Sequence, residues 1–387
     1  MSAAPDQLMR KYPSIAHLEG RAKRRIPKFA YDYLAGGAGD ESGLSRNRRV
    51  FDNVQFVPDY LEPIDEPDLS INVMGQKYSL PFGVAPIGLG GMIWPKVAEY
   101  LAASSSKADM PFCISTVATS SIEKVAARCG DVGWFQLYPF RDQEQERDLL
   151  DRAKDAGYKT LIVTVDIPVG GRRLRDLQNG LSVPPRMGLN TFFQSVLCPE
   201  WSFRTLANGI PRFETLMPYS GDKSNLKSVA QYIQTVMSGK VTWQHLSDIR
   251  VYWKGPVVVK GVLGLADAKK CQEIGVDGLI LSNHGGRQIE AAVSPLEILP
   301  AMKQEVGDGI SLMLDSGVRT GVDVARAYAL GADFVFLGRA FMLAVAALGE
   351  AGADHAVNIL KADLVQAMHQ LGCRAMADFE RCLYKAN

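Results

Sequence analysis

His284 and Arg287 stand three positions apart in the stretch Ser282-Asn283-His284-Gly285-Gly286-Arg287-Gln288. A histidine can take or give a proton near neutral pH. An arginine can grip a carboxylate through two parallel hydrogen bonds. The pair predicts a site that holds an acid and moves a proton on the atom beside it. Two adjacent glycines let the backbone turn sharply and approach a ligand. The apolar run Gly278–Leu281 precedes them and reads as a buried strand. Both side chains therefore fall at a strand end, where sites collect in parallel α/β folds. The bland alternative is a turn whose histidine caps a backbone group.

Something must position these groups, and the sequence offers a rhythm. Short apolar runs recur at Phe82–Ala85, Phe112–Ser115, Trp134–Leu137, Thr160–Val165, Pro256–Val259, Gly278–Leu281, Ser311–Leu314 and Phe334–Leu337. Helical stretches such as Ser121–Cys129, Glu144–Ala156, Leu265–Ile274 and Val322–Leu330 lie between them. Fully apolar strands alternating with helices predict a parallel sheet covered on its outer faces. Eight such units predict a closed (β/α)8 TIM barrel. A doubly wound open sheet is the weaker alternative, because no GxGxxG follows the first strand. Residues 14–34 read as an N-terminal helical extension that ends at the Gly36-Gly37-Ala38-Gly39 cluster. Residues 46–80, rich in prolines and charges, read as loop with a short hairpin. The whole chain, 1–387, is read as one domain.

One spacing is out of step. The fourth and fifth runs are separated by far more chain than a crossover helix needs. The insertion, 174–241, follows a strand C-terminus and so belongs on the active face. Its centre, 187–219, carries Phe192, Phe193, Trp201, Phe203, Phe213 and Tyr219 with few charges. That composition suits a lid, an oligomer contact or a patch that dips into a membrane surface. The expectation is peripheral membrane docking, with the chemistry independent of 187–219.

The strand ends carry polar groups all round. Pro86, Ile87 and Gly88 follow the first run, flat enough for a planar cofactor. Ser115 ends the second. Gln136 and Tyr138 close the third, and Thr164 and Asp166 the fourth, with Arg172 and Arg173 just beyond. Lys260 ends the fifth and Ser282 opens the turn after the sixth. Asp315, Ser316, Gly317 and Arg319 follow the seventh, and Gly338 and Arg339 the eighth. Unpaired polar groups over an apolar barrel are costly, so they point to ligands. Gly-and-Arg turns after strands seven and eight match the usual phosphate site of this fold.

Composition excludes other classes. Lys+Arg 43 against Asp+Glu 42 leaves a net charge of +1, so bulk charge makes no case for nucleic acid. The six cysteines show no close pairing or metal spacing and read as free thiols in a reducing compartment. The five histidines form no HxxxH or HExxH pair, so no metal is expected. No apolar run has the length of a membrane span.

The motif 282–288 resembles the signature of the FMN-dependent 2-hydroxy-acid dehydrogenases and oxidases, a resemblance that runs from Arg24 to about Cys373. It implies roles residue by residue. Tyr33, Tyr138, Arg173 and Arg287 would contact the substrate. His284 would be the catalytic base, with Asp166 its partner and Lys260 stabilising reduced flavin. Pro86, Ile87, Gly88, Ser115, Gln136, Thr164, Lys260 and Ser282 would surround the flavin ring. Asp315, Ser316, Gly317, Arg319, Gly338 and Arg339 would meet its phosphate. Within the family, Gly88 stands where oxidases usually have alanine. The stretch Gly91-Met92-Ile93-Trp94-Pro95-Lys96 and the Cys198–Ser202 segment resemble the mandelate dehydrogenase branch. The small Val117 opens space for an aromatic side chain without demanding one, and is also seen in lactate dehydrogenases. Ile167–Arg173 is closer to the general family. The resemblance thus implies oxidation of an (S)-2-hydroxy acid, foremost (S)-mandelate, with electrons passed to a membrane quinone. L-lactate dehydrogenase and a soluble oxidase using O2 are the alternatives. It also implies a homotetramer, peripheral at the cytoplasmic side of the inner membrane, or cytoplasmic if the insertion is only a lid.

Overall fold

A computed structural model describes residues 5–61, 63–180, 188–219 and 241–384. A small antiparallel hairpin, β1 (Ile71–Val73) and β2 (Gln76–Tyr78), comes first. The eight apolar runs then become β3 (Phe82–Val84), β4 (Phe112–Ser115), β5 (Gly133–Leu137), β6 (Thr160–Thr164), β7 (Val257–Lys260), β8 (Gly278–Leu281), β9 (Ser311–Leu314) and β10 (Phe334–Leu337). They pair in parallel, in chain order, and β10 closes back onto β3. The fold is a (β/α)8 barrel. Its strands are buried almost end to end, because side chains face the packed interior on one side and helices on the other.

The strand limits move slightly from those expected. Lys260 ends its strand as expected and is itself a rung: it forms the last one of β7, opposite Thr164 of β6. A lysine is tolerated there because its Nζ donates to Ser282 Oγ at 2.8 Å and pairs with Asp315 Oδ2 at 3.2 Å. At the opposite end of the barrel Tyr78 fills the opening. Trp134 Nε1 donates to its hydroxyl at 2.9 Å, and its ring packs on Phe334.

The N-terminal extension is two helices rather than one. Ile15–Arg25 and Lys28–Ala35 are separated at Ile26, whose backbone is extended as a residue before proline must be. The stretch read as loop between 46 and 80 begins with a further helix, Ser42–Asp52. Its buried face is Gly43, Asn47, Val50 and Phe51, so half of the helical stripe is not apolar. Asn47 is buried because it exchanges two amide hydrogen bonds with Asn283, at 2.8 and 2.7 Å. That pair ties the extension to the turn after β8.

Between β6 and β7 the described part of the insertion holds Leu174–Gln178, Leu189–Val196, Pro199–Asn208 and a 3-10 turn at Met217–Tyr219. Residues 181–187 and 220–240 of the expected insertion lie outside the described residues. Trp201 anchors the helical pair. Its Nε1 donates to the carbonyls of Met92 and Ile93, and its ring meets Phe29 edge-on at 5.7 Å. Glu200 pairs with Arg25, and Gln194 Oε1 accepts from the Phe29 N–H at 2.9 Å. The outer faces are bare: Leu189 is 80% exposed, Phe192 and Phe193 61%, Phe203 71% and Leu206 80%.

Candidate active site

The turn after β8 is built to hold one imidazole. His284, Gly285 and Gly286 are all left-handed, with φ of 56°, 65° and 72°. Glycine adopts this freely, but histidine does so at a cost that surrounding bonds must offset. The His284 N–H donates to Ser282 Oγ at 3.0 Å, and the Gly286 N–H to Asn283 Oδ1 at 3.0 Å. The Gly285 N–H donates to Ser316 Oγ at 2.9 Å, from the loop after β9. The ring then lies with Nδ1 2.9 Å from Asp166 Oδ1, just past β6. Gln288 holds that loop from the other side. Its Nε2 donates to the Asp166 carbonyl at 2.9 Å, and its Oε1 accepts from the Gly171 N–H at 3.0 Å. Burial opposes ionisation of Asp166, but His284 and Lys260 outweigh it and hold the carboxyl below the usual carboxylate range. Asp166 is therefore an anion at neutral pH, and it accepts from His284 Nδ1–H. In the neutral ring, the nitrogen left to accept is Nε2.

Beside it Tyr33 stands between two guanidiniums. Arg287 lies 4.8 Å and Arg173 5.6 Å from its ring centre. Arg287 Nη1 donates to the carbonyls of Tyr33 and Gly36 at 2.6 and 3.1 Å, the open C-terminal end of helix Lys28–Ala35. Burial, and then the neighbouring Arg173, lower the Arg287 pKa against the pull of the Tyr33 hydroxyl. A cation destabilised in this way gains from an incoming carboxylate. Tyr138, also buried, closes the same side, its hydroxyl held far above the usual range by burial and then by Asp166.

These groups line a cleft of about 310 Å3 at the C-terminal mouth of the barrel. Pro86, Ile87, Gly88, Lys260, Asp315, Ser316, Gly317, Arg319, Gly338 and Arg339 line it too. Arg339 is fixed by carbonyls of Leu34, Gly285 and Gly36 at 2.9, 2.7 and 2.8 Å. Burial lowers Arg319 to about 10 and Arg339 further, and each is pushed down again by other arginines. Ser115, Gln136, Thr164, Asp166 and Ser282 do not line the cleft but back it. Ser115 Oγ donates to Gln136 Oε1 at 2.7 Å, and the remaining bonds run to Lys260 and His284.

The sequence pattern of the FMN-dependent dehydrogenase family matches residues 22–385. The chain belongs to that family. It is 38% identical to the (S)-mandelate dehydrogenase of Pseudomonas putida over 351 residues, 91% of this chain and 88% of that one. It is equally 38% identical to the L-lactate dehydrogenase of Xanthobacter autotrophicus, covering 93% of both. Among solved structures, one described as the monotopic membrane protein (S)-mandelate dehydrogenase superposes with a TM-score of 0.92 at 37% identity, over 96% of this chain and 99% of that one. A mandelate oxidase structure gives 0.81 at 33% identity, over 96% and 98%. This family member is thus a flavoenzyme that oxidises 2-hydroxy acids, with FMN as cofactor.

The residues fit that cofactor. Gln136 Nε2 and Thr164 Oγ1, on adjacent strand ends, are buried with no partner among the described residues. Buried donors of this kind suit the polar edge of a flavin ring. Arg319 and Arg339, depressed by burial and by neighbouring arginines, suit its phosphate. The sequence reading missed three contributors. Asn47 and Arg48 support the turns after β8 and β9, Arg48 by bonding the Gly317 carbonyl and Asp323. The third, Phe213, comes from inside the insertion and lines the cleft. Asn47 and Arg48 were hard to see because most of their helix was read as loop. Phe213 was hard because nothing local marks an aromatic as inward-facing.

Proposed function

We propose that the enzyme oxidises (S)-mandelate, or a close (S)-2-hydroxy acid with an apolar side chain, and passes the electrons to a membrane quinone. The observation that carries the reading is the alignment of one proton acceptor with one acid clamp. His284 Nε2 faces the cleft while Asp166 fixes the other nitrogen, and Arg287, Arg173 and Tyr33 crowd beside it. Arg287 and Arg173 hold the substrate carboxylate, and Tyr33 and Tyr138 flank it. Held so, the α-carbon hydroxyl stays within reach of His284, which converts binding into orientation. His284 takes the proton, and the Asp166 carboxylate stabilises the imidazolium that results. FMN, when bound, supplies the two-electron acceptor. Lys260, paired with Asp315 at the last rung of β7, brings positive charge to the polar ring beneath it.

The preference for an aromatic acid rests on the rest of the wall. Ile93, Val117, Ile167 and Phe213 line the cleft with apolar surface. A phenyl group there buries more than a methyl group does, worth roughly 1–3 kcal/mol. The exposed faces of helices Leu189–Val196 and Pro199–Asn208 support peripheral docking to a bilayer, on the same side as the barrel mouth. No helix among the described residues is long and apolar enough to cross a membrane. A homotetramer, bound at the cytoplasmic side of the inner membrane, completes the reading.

The test is anaerobic mixing of the FMN-loaded enzyme with mandelate, lactate, 4-hydroxymandelate and glycolate while flavin absorbance is followed. Fastest bleaching with (S)-mandelate is expected. A higher kcat/KM for L-lactate would move the enzyme to the lactate dehydrogenases. Stoichiometric hydrogen peroxide in air would favour the oxidase reading.

A further inference from the structure

Phe213 sits on a short turn that returns from the insertion to the barrel. That turn is fastened independently of the two exposed helices. Glu214 accepts from the Ser121 N–H at 3.2 Å and pairs with Lys124 at 2.8 Å. The Thr215 carbonyl accepts from Arg152 Nη1 at 3.0 Å. Leu216 is buried, and Tyr219 Oη donates to Asp148 Oδ2 at 2.5 Å. All these partners lie on helices Ile122–Cys129 and Gln143–Asp155 or at their starts, so the turn belongs mechanically to the barrel.

The anchoring also fixes where Phe213 stands. Ser121 ends the loop that follows β4, and Val117 lies in that loop. β4 is four strands from β8 in a ring of eight, so this wall faces the His284 turn across the mouth. Phe213 is 9% exposed, bonds nothing by its side chain and lines the cleft with Val117. Gly88 closes on the same place, since a methyl group there would come within 2.6 Å of Val117 Cγ2. An acid clamped by Arg287 and Arg173 has its carboxylate and α-carbon on the β6–β8 side. The Val117 wall lies across the mouth from that side, among the apolar residues that line the cleft.

We infer that Phe213 is a specificity-determining residue that closes the pocket for the substrate side chain, so the insertion contributes to substrate choice as well as to docking. A rigid aromatic wall with no polar atom favours flat apolar side chains and rejects a second carboxylate, which would lose its water without gaining a partner. The inference rests on the 2-hydroxy-acid reading of the cleft but not on mandelate being the natural substrate.

Glycolate has no side chain, which makes it the internal control. Phe213→Ala and Phe213→Trp are assayed as FMN-loaded enzymes with a soluble dye, on glycolate, (S)-mandelate and (S)-2-hydroxy-3-phenylpropionate. With Ala, kcat/KM for mandelate is expected to fall about ten-fold, and the bulkier acid to gain relative to mandelate. With Trp, both aromatic acids lose. Glycolate is expected to lose less than (S)-mandelate in each variant, because it has no side chain to meet residue 213. Equal loss on all three acids, glycolate included, overturns the inference and makes Phe213 a packing residue. Unchanged ratios in both variants overturn it as well. If wild-type enzyme bleaches with none of the acids, the acid reading itself falls, which is a separate outcome. Should the Ala variant lose FMN, the Trp variant alone decides, since it adds volume rather than a cavity.

Discussion

The turn at 282–288 and the helical arm at 189–208 reach the same barrel mouth but are held in opposite ways. The turn is short, strained and almost fully bonded: His284, Gly285 and Gly286 keep left-handed backbones under hydrogen bonds to Ser282 and Asn283 within the turn and to Ser316 in the loop after β9. The arm is regular and unstrained, and much of its apolar surface is bare, with Trp201, Glu200 and Gln194 as its anchors. Chemistry needs atoms held within fractions of an ångström, so its loop is over-determined. Under the proposed docking role, a surface that meets a fluid partner needs area rather than precision, which would suit helices with unmatched apolar side chains. Strain thus marks the turn and exposure marks the arm.

The comparison breaks most sharply at His284. His284→Ala is expected to slow flavin reduction by about a thousand-fold while FMN stays bound, because the base is lost and the phosphate side is untouched. Stopped-flow reduction with mandelate reads this directly, and a near-normal rate would remove His284 from the mechanism. Arg287→Lys comes next. The fork becomes a point charge that cannot serve both the helix-end carbonyls and a carboxylate. A drop of about a hundred-fold in kcat/KM is expected. Unchanged kinetics on every acid would mean that the carboxylate is held elsewhere.

A third variant asks what holds the turn. Asn47→Ala leaves Asn283 buried with its amide half-paired, and should cost about 1–3 kcal/mol in urea unfolding. The same change should loosen His284 and lower kcat more than it raises KM. If stability is lost with kcat untouched, the pair is structural only.

On the arm the opposite pattern is expected. Phe192→Glu combined with Leu206→Glu should reduce co-sedimentation with phospholipid vesicles by about ten-fold, yet keep dye reduction within about two-fold. Equal sedimentation of variant and wild type would leave the arm as a lid or a contact between subunits.

The smallest effect concerns His245, on helix Trp243–Tyr252 where the insertion rejoins the barrel. Its Nε2 lies 2.8 Å from Glu146 Oε1, while Glu146 Oε2 accepts from the Phe140 N–H at 2.7 Å. The Glu146 hydrogen bond raises the His245 pKa, burial opposes it, and Asp248 adds a smaller pull. A raised folded pKa stabilises the protonated form. The contribution is therefore complete below the unfolded histidine value of about 6.5 and fades as pH rises through the folded one. The gap in urea midpoint between wild type and His245→Gln should be widest near pH 5.5 and shrink toward pH 9, by about these limits. A gap that widens with pH would reverse the sign and exclude the pair as its source.

How much was legible follows from what each signal depends on. The barrel could be read because each strand is apolar over its whole length, and burial on two faces leaves that mark in any chain. The polar strand ends could be read because each breaks an apolar run where no structural reason requires it. The helix Ser42–Asp52 could not. Its buried face uses Gly43 and Asn47, and Asn47 is inside only because Asn283, 236 positions away, completes its amide. The break at Ile26–Pro27 was local and could have been read from the proline alone.

The sequence by itself determined the repeat of strand and helix, the polar groups at seven of the eight strand ends and the glycines that let His284 turn inward. These are local properties, set by side-chain type and backbone sterics within a few residues. Only the tertiary structure decided that Asp166 meets His284 Nδ1, that Arg287 and Arg173 flank Tyr33, and that Phe213 crosses from the insertion into the cleft. The contacts of Asp166, Arg173 and Arg287 join residues 118 to 254 positions apart, and closure of the barrel creates them. No short window of sequence carries the distance between two strand ends, because that distance is set by how eight strands share one ring of hydrogen bonds.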